Sequence, residues 1–316
     1  MVERSHPSDR SGTQRSASPP TPSQPGRRAD SRAEFAVGGS RLGLIAGAGH
    51  LPVEVVRRLR GEGCELAAIA FEGLTDAALD AALPEGKLRR LRLGRLAAMA
   101  EAMDELGIDR VLLLGKVSKT LLFDGSELVE PDEEAIALLA RLADRADEPL
   151  MGAIAEWLVE RGFELASQEA ELASMLATRG PLSKRVPQLS ELADLAVGRA
   201  AVAGLGRAGV GQCVVVKQGC VLALEAIEGT DAAIRRAGEL GGAGATVVKA
   251  ARPGQDRRFD LPAVGPDTIE AMRRAGASAL AIEAGSSLII DAAAVGAAAD
   301  RAEIAVWGFD ASEDAS

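Results

Sequence analysis

Short apolar runs alternate with helix-forming stretches in the first part of this chain, and this alternation limits the folds available to it. We predict strands at Leu42–Ala46, 65–71 and Arg110–Leu114, with helices at 53–59 and 93–106. Strands that alternate with helices predict a parallel sheet covered on both faces. The loop after each strand then lies at the carboxyl edge, where open α/β sheets bind ligands. We therefore predict a Rossmann-like domain over residues 41–172.

The second part of the chain has a different order of elements. Two apolar runs, 212–216 and 221–226, are separated by Lys217-Gln-Gly-Cys220, and a short gap with a glycine predicts a hairpin. Helices and further strands around it indicate a mixed α/β domain over residues 173–316. The 276 residues from Arg41 onward also exceed the usual size of one domain.

Residues 1–40 are rich in Ser, Pro and Arg and have no apolar periodicity. Such a segment cannot bury enough apolar surface to offset the entropy of ordering it, so we predict a disordered tail. It lacks the apolar central run of a secretory signal. We assign it no function.

Composition weighs against several classes of function. Residues 41–316 hold 30 Lys and Arg against 42 Asp and Glu, a net charge of −12, whereas non-specific nucleic-acid binding needs a basic face. No run of about twenty apolar residues predicts a membrane-spanning helix. Three scattered cysteines fit a reducing compartment. With two histidines in the chain, a metal site would use oxygen ligands, which favours Mg²⁺ or Mn²⁺.

The segment 249–265 carries a dense group of charges between two stretches that we predict to be buried. Asp256, Arg257, Arg258 and Asp260 lie within five residues, and the flanking prolines and glycines argue against a helix. Carboxylates can hold a divalent cation and guanidinium groups can neutralise phosphoryl oxygens. We predict Asp256 and Asp260 as metal ligands and Arg258 as a phosphate ligand. A solvated loop with internal ion pairs is the alternative.

The loop after the first strand begins Gly47-Ala-Gly49, which resembles the start of a dinucleotide fingerprint. Glycines there let backbone N–H groups approach a phosphate at a helix N-terminus, so we predict Gly47, Gly49 and the adjacent His50 at a ligand. The alternative is a tight strand-to-helix turn. Lys116 and Ser118 follow the third strand at the same predicted edge and can reach the same ligand. The alternative is a strand end with an exposed lysine.

Polar residues in the second part have both structural and functional readings. Thr230 is a natural N-cap, and Asp231 complements the dipole of the helix that begins there. The same geometry suits Asp231 as a metal ligand beside an anion. Glu225 and Glu283 lie in apolar runs, where a buried carboxylate needs a partner. They hint at a polar cavity, unless strand alternation places both in solvent.

Six motifs occur in the order found in a known family. They are Leu-Gly-Leu-Ile-Ala-Gly-x-Gly-x-Leu-Pro from residue 42, Gly-Lys-Val-Ser from 115, Gly-Gln-Cys-Val-Val-Val from 211, Glu-Ala-Ile-Glu-Gly-Thr-Asp-Ala from 225, Pro-Gly-Gln-Asp-Arg-Arg-Phe-Asp-Leu-Pro from 253, and Glu-Ala-Gly from 283. With these motifs the chain resembles the LpxI-type UDP-2,3-diacylglucosamine pyrophosphatases over residues 41–316. The motifs of the second part are specific, whereas the glycine loop alone is not.

The resemblance implies Mg²⁺-dependent hydrolysis of UDP-2,3-diacylglucosamine to UMP and 2,3-diacylglucosamine 1-phosphate, a cytoplasmic step of lipid A biosynthesis. It implies a substrate between the two domains and Asp260 as the catalytic aspartate. The positions that it places near substrate are His50, Val117 with Ser118, Asp147, Gln212, and Thr230 with Asp231. A lipid substrate for an acidic protein implies loose, peripheral contact with the inner membrane. Whether the chain forms a homodimer is left open.

One position departs from the family pattern. The family usually reads Asp-Ile-Gly-Gln where this chain has Gly209-Val-Gly-Gln212, so a carboxylate is missing. If that aspartate is structural, little changes. If it holds metal or orients Gln212, activity or substrate range differs.

Two chemical readings and one rival function remain from the sequence. Asp260, with Asp231 and Asp256, would hold Mg²⁺ against the pyrophosphate, or a carboxylate would act as the base that positions water. The rival is a nicotinamide-dependent oxidoreductase or a non-catalytic nucleotide-binding protein. It is weaker because the third glycine is absent and Glu65 precedes the second strand rather than ending it.

Overall fold

A computed structural model describes residues 41–117, 121, 127–142 and 147–310 of the chain, without the side chains of residues 147–149. The tail predicted at 1–40 lies outside the described residues, and so does Ser118.

A five-stranded, all-parallel sheet forms the first part of the protein. Its strands lie in the order β3-β2-β1-β4-β5, with β1 at Leu42–Ala46, β2 at Leu66–Phe71, β3 at Leu88–Leu91, β4 at Arg110–Leu114 and β5 at Glu164–Leu165. The chain moves outward from β1 to β3 and then returns to the other side of β1. This reversal between β1 and β4 is the switch point at which open α/β sheets bind ligands. The predicted Rossmann-like sheet is confirmed.

Helices cover both faces of this sheet. They are α1 (Leu51–Gly61), α2 (Ala78–Ala82), α3 (Leu96–Glu105), α4 (Glu133–Arg141), α5 (Asp147–Glu160) and the short α6 (Gln168–Glu171). Side chains of a strand alternate between faces, so Leu44 packs with Val53 of α1 while Ile45 packs with Met103 of α3. Both faces are therefore apolar, as the uninterrupted apolar strand sequences predict.

The second part contains a six-stranded mixed sheet. Its strands lie in the order β6-β13-β11-β9-β7-β8, with β6 at Gly180–Pro181, β7 at Cys213–Lys217, β8 at Cys220–Leu224, β9 at Thr246–Lys249, β11 at Ala279–Glu283 and β13 at Ala305–Phe309. The three central strands are parallel, and β6, β7 and β8 are antiparallel to their neighbours. Two short strands, β10 (Ala263–Val264) and β12 (Leu288–Ile289), pair separately. The predicted mixed α/β fold is confirmed.

The predicted hairpin is formed by β7 and β8. Gln218 and Gly219 at its turn both have positive φ, 51° and 74°, which is the backbone of a tight two-residue hairpin turn. Asp194, in the helix Leu189–Arg207, accepts hydrogen bonds from the N–H groups of both turn residues, at 3.1 and 2.7 Å.

Four longer helices enclose the mixed sheet. They are α7 (Leu189–Arg207), α8 (Thr230–Gly241), α9 (Pro266–Ala275) and α10 (Ala292–Arg301). One apolar cluster joins α7 to the sheet through Val202 and Val248, and another joins the remaining three helices to the opposite face. Phe259 and Leu261, which follow β9, are buried in the apolar clusters of the first sheet. The segment that carries Asp260 is thus packed against the parallel sheet. Within the described ranges, no helix has the length and apolar character needed to cross a membrane.

A matched pair of glycines tests the packing of the second part. A Cβ at Gly308 in β13 would lie 1.9 Å from the backbone oxygen of Thr178, whereas a Cβ at Gly204 in α7 would meet nothing within 4 Å. We expect Gly308→Ala to lower the free energy of unfolding by about 1–3 kcal/mol through overpacking. Gly204→Ala should raise it by roughly 0.5–1 kcal/mol, because alanine favours a helix. Urea denaturation measures both, and a change of the same sign in the two variants would contradict the described packing.

Candidate functional site

The loop after β1 lies directly against the loop after β4. Gly47 donates its N–H to Leu114 O at 2.7 Å, and Ala48 and Lys116 exchange backbone hydrogen bonds of 2.7 and 3.0 Å. A Cβ at Gly47 would lie 2.7 Å from Lys116 O, so this close backbone approach requires glycine. The tight-turn alternative therefore explains Gly47. Gly49 has a φ of 92° and open surroundings, so its backbone is accessible to a ligand.

A histidine and an aspartate lie side by side at this edge. His50 is exposed at the start of α1, and its Nδ1 is 3.4 Å from Asp76 Oδ2. The N–H of Ala78 and then His50 lower the pKa of Asp76 below its ordinary value. Thr75 next to it donates its hydroxyl to Ala46 O, which fixes this turn to the end of β1. The sequence analysis did not identify Asp76.

A buried lysine organises the polar residues of the second part. Lys249 Nζ donates to Thr230 Oγ1 at 3.1 Å and to Ala263 O at 2.9 Å, and Thr230 Oγ1 donates to Glu225 Oε1 at 2.8 Å. Glu225 also accepts the N–H of Gln212 at 3.2 Å. Glu225 therefore has the partners that its apolar sequence context demanded. The prediction that Thr230 is the N-cap of α8 is wrong, because Gly229 takes that position. The Thr230 hydroxyl instead bonds to Lys249 and Glu225.

The charge of Lys116, in the first part of the chain, affects the pKa of Lys249 in this network. Burial lowers the pKa of Lys249, and the ammonium of Lys116 lowers it further, while Glu225 opposes both. Burial likewise raises the pKa of the Cys213 thiol to about 12, against the opposing charge of Lys249. Lys116, at the carboxyl edge of the parallel sheet, is thus electrostatically coupled to the mixed sheet.

The charged segment after β9 is held by internal ion pairs. The Arg252 guanidinium pairs with Asp260, while Arg258 Nη2 binds Asp256 at 2.6 Å and its backbone N–H donates to the same carboxylate at 3.0 Å. This pairing raises the pKa of Arg258 and lowers that of Asp256. Arg258, predicted as a phosphate ligand, is therefore engaged by Asp256. Arg252, which the sequence analysis did not select, contacts the predicted catalytic aspartate.

The three aspartates predicted as metal ligands do not come together. Among the described residues, no group of three or more His, Cys, Asp and Glu side chains is arranged to hold a metal ion. Asp256 and Asp260 each bind an arginine, and Asp231 is exposed at the start of α8. This set does not fit a protein-only metal cage. A requirement for Mg²⁺ stays a prediction, because Mg²⁺ is often held by one or two carboxylates together with substrate phosphates.

Asp231 instead lines a groove between α8 and α9. The groove has a volume of about 750 Å³, and charged side chains from both helices line it, namely Asp231, Arg235, Glu239, Asp267, Glu270 and Arg274. Of the predicted site residues that the structure describes, Asp231 alone contributes to this lining. The groove is therefore separate from the Asp260 segment.

One buried carboxamide joins the Asp260 segment to the parallel sheet. Gln168 in α6 is 3% exposed, and its Nε2 donates to Leu113 O at 2.7 Å and to Phe259 O at 2.9 Å. Its Oε1 accepts the N–H of Leu261 at 3.0 Å. Leu113 belongs to β4, while Phe259 and Leu261 flank Asp260. The carboxamide thus fixes the Asp260 backbone at the carboxyl end of the sheet, close to the loops after β1 and β4.

Comparisons with known proteins agree with this two-part arrangement. The LpxI N-terminal domain family matches residues 41–175, and the LpxI C-terminal domain family matches residues 178–307. The UDP-2,3-diacylglucosamine pyrophosphatase LpxI of Caulobacter vibrioides is 34% identical over 284 residues, which cover 86% of this chain and 99% of the relative. The chain belongs to the LpxI family. The resemblance inferred from the six motifs is therefore confirmed.

Two solved structures show a weaker likeness. L-threonine dehydrogenase from Phytophthora infestans aligns over 45% of this chain and 39% of its own, at 12% identity and a TM-score of 0.25. Glycinamide-RNase-transformylase T from Mycobacterium tuberculosis aligns over 57% and 42%, at 19% identity and a TM-score of 0.21. Both scores are too low to carry a conclusion about fold or function.

The other site positions implied by the LpxI resemblance are placed less completely. Val117 is 42% exposed beside Lys116. Asp147 begins α5, but its side chain lies outside the described residues, as does all of Ser118. Gln212 has its Oε1 buried without a hydrogen-bond partner among the described residues.

The position at which this chain departs from the LpxI pattern has a backbone explanation. Gly209 follows α7 with a φ of 67°, and a Cβ there would meet nothing within 4 Å. Glycine adopts this left-handed conformation without strain, and aspartate tolerates it better than most residues do. The backbone of this turn is thus compatible with either residue.

The buried amine of Lys249 predicts a specific dependence of stability on pH. Because its pKa in the folded protein is lowered from 10.5, the unfolded chain binds more protons between the folded value and 10.5. The free energy of unfolding should therefore rise with pH across this alkaline window in the wild type. We expect Lys249→Met to remove this rise, whereas Lys184→Met, which removes an 89% exposed amine, should retain it. Urea denaturation at pH 7 to 10 measures the difference, and parallel curves for all three proteins would refute the inference.

Proposed function

We propose that this chain hydrolyses the pyrophosphate of UDP-2,3-diacylglucosamine to UMP and 2,3-diacylglucosamine 1-phosphate. Membership of the LpxI family extends over both parts of the chain, and the Caulobacter vibrioides relative is named for this activity. To hydrolyse a phosphorus anhydride, an enzyme must bind the diphosphate, orient the attacking water and stabilise the negative charge that develops on the phosphoryl oxygens.

The observation that carries the proposal is the position of the Asp260 backbone. It is fixed through Gln168 to Leu113 of β4, one residue before the end of the strand. Lys116 follows that strand end, and the loop at 47–50 packs against it. The Asp260 side chain is 33% exposed, so it remains accessible while it contacts Arg252. A ligand that spans the sheet edge and the Asp260 segment would meet both parts of the chain at once.

The sheet edge suits the nucleotide half of the substrate. The loop at 47–50 leads into α1, whose first-turn backbone N–H groups have no partner within the helix and attract phosphate oxygens, except at Pro52, which has no N–H. Lys116 is exposed at the same edge and offers an ammonium group to a phosphoryl oxygen. His50 and Asp76 beside the loop supply hydrogen-bonding groups for the remainder of the nucleotide.

Asp260 is positioned to act on the reacting water. In the proposed step, water attacks one of the two phosphorus atoms, and the bond from that phosphorus to the bridging oxygen breaks. The bridging oxygen leaves with the other phosphate, while a carboxylate oxygen of Asp260 takes the proton from water. Arg252 orients this carboxylate by its ion pair. Lys116 offsets the negative charge that develops on the phosphoryl oxygens.

A divalent cation and the membrane are further parts of the proposal. Mg²⁺ bound with the diphosphate would supply additional positive charge to the phosphoryl oxygens. The acyl chains of the substrate favour a loose contact of the chain with a membrane surface. The net charge of −12 over 41–316 does not favour electrostatic attachment to anionic lipids.

Replacing Asp260 tests the proposed chemistry. We expect Asp260→Asn to lower kcat for UMP release by about 10²–10⁴-fold, because the amide cannot take a proton from water. Asp267→Asn, in the groove between α8 and α9, is the matched control and should keep wild-type activity. Thermal denaturation establishes that both variants are folded. Wild-type turnover in Asp260→Asn would rule out its catalytic role.

Removal of divalent cations tests the metal requirement separately. We expect a chelator to abolish UMP release from UDP-2,3-diacylglucosamine and added Mg²⁺ to restore it. Because the described carboxylates form no cage, the melting temperature without substrate should not change with chelation. Full activity with excess chelator would contradict the predicted cation requirement.

A further inference from the structure

We propose that Gln168 is a positioning residue for this reaction, which holds the backbone of Asp260 in its reactive orientation from the opposite part of the chain. The inference rests on the proposed function of Asp260. It assigns a role to a residue in a four-residue helix that has no recognisable motif.

Gln168 forms hydrogen bonds to the peptide groups on both sides of Asp260. Phe259 O belongs to the peptide group that precedes the Asp260 Cα, and Leu261 N belongs to the peptide group that follows it. Gln168 binds both, at 2.9 and 3.0 Å. The planes of these two peptide groups set the backbone dihedral angles of Asp260, and hence the direction in which its Cβ points. The same two peptide groups also bond to Asp256 O and to the Gln255 side chain, both within the Asp260 segment. Gln168 is the contact that holds them from the first part of the chain, so it helps to set the direction of the carboxylate.

The third contact sets where that carboxylate lies. Gln168 Nε2 also donates to Leu113 O of β4 at 2.7 Å. The backbone N–H of Gln168 donates to Arg258 O at 2.9 Å. β4 ends one residue after Leu113, and Lys116 follows. Glu169 N also donates to Arg257 O at 3.3 Å. The Gln168 side chain and the first N–H groups of α6 together hold the Asp260 segment at this edge of the sheet.

The chemistry of these contacts requires a carboxamide. Two of the partners are carbonyl oxygens that need N–H donors, and the third is an N–H that needs an acceptor. A glutamine provides two donors and an acceptor, whereas an ionised glutamate provides acceptors only. Isosteric replacement by glutamate would direct an oxygen at two carbonyl oxygens in a buried site. Methionine would fill the same space and make none of the hydrogen bonds.

Kinetics of two isosteric variants separate positioning from general stability. We expect Gln168→Met and Gln168→Glu to lower kcat by about 10²-fold with KM changed less than about threefold, because misplacement of a catalytic group has effects of this size. The control is Asp194→Asn, which disturbs another buried polar side chain that binds two backbone N–H groups, in the β7–β8 turn. It should lower the melting temperature and leave kcat within about twofold.

Several outcomes would overturn the proposal. It fails if a folded Gln168→Met retains wild-type kcat, or if Asp194→Asn loses as much kcat at an equal loss of melting temperature. If Gln168→Met does not fold, Gln168→Asn takes its place, because it keeps the amide but is one methylene too short for all three contacts.

Hydrogen exchange distinguishes failure of this inference from failure of the proposed function. If the wild type releases no UMP, the proposed function is wrong. Amide exchange over 257–262 then tests whether Gln168 holds the Asp260 backbone. Faster exchange there in Gln168→Met, but not in Asp194→Asn, supports this role of Gln168. Equal exchange in the two variants overturns it.

Discussion

Three hydrogen bonds from the Gln168 carboxamide connect the two parts of this chain at the point where its proposed chemistry occurs. They join β4 of the parallel sheet to the peptide groups on both sides of Asp260. Each partner is a buried backbone group, and leaving such a group unpaired costs about 1–3 kcal/mol. The position of Asp260 relative to the sheet edge is therefore defined by satisfied backbone polarity as well as by the apolar packing of its neighbours Phe259 and Leu261.

Electrostatics provides a second connection at the same junction. Hydrogen bonds to Thr230 and Ala263 O and the charge of Glu225 stabilise the buried Lys249 ammonium. The ammonium of Lys116, in the first part of the chain, lowers the pKa of Lys249. Arg252 ion-pairs with Asp260 from within its own segment. The junction thus combines Lys116 of the first part and Arg252 of the second part with the partly exposed carboxylate of Asp260. This distribution of charge is compatible with a diphosphate, which is the reacting group in the proposed function of this LpxI family member.

The sequence predicted the fold better than it predicted the site. Apolar runs and glycine turns are local signals, so the parallel sheet, the hairpin and the mixed sheet were all predicted correctly. Partner choice among neighbouring charges is not a local property: Arg258 was expected at phosphate, yet it binds Asp256, and Arg252 binds Asp260. Gln168 carried no signal, because its partners are backbone groups far away in sequence. The three aspartates predicted as metal ligands form no metal-binding group among the described residues, and Asp231 lines the groove between α8 and α9.

A structure of Asp260→Asn with intact UDP-2,3-diacylglucosamine is the most direct measurement of where the substrate binds. The account predicts the diphosphate between the Asp260 segment and the loop at 47–50, with Lys116 in contact with a phosphoryl oxygen. Density for the diphosphate in the groove between α8 and α9, with the edge of the parallel sheet empty, would contradict it.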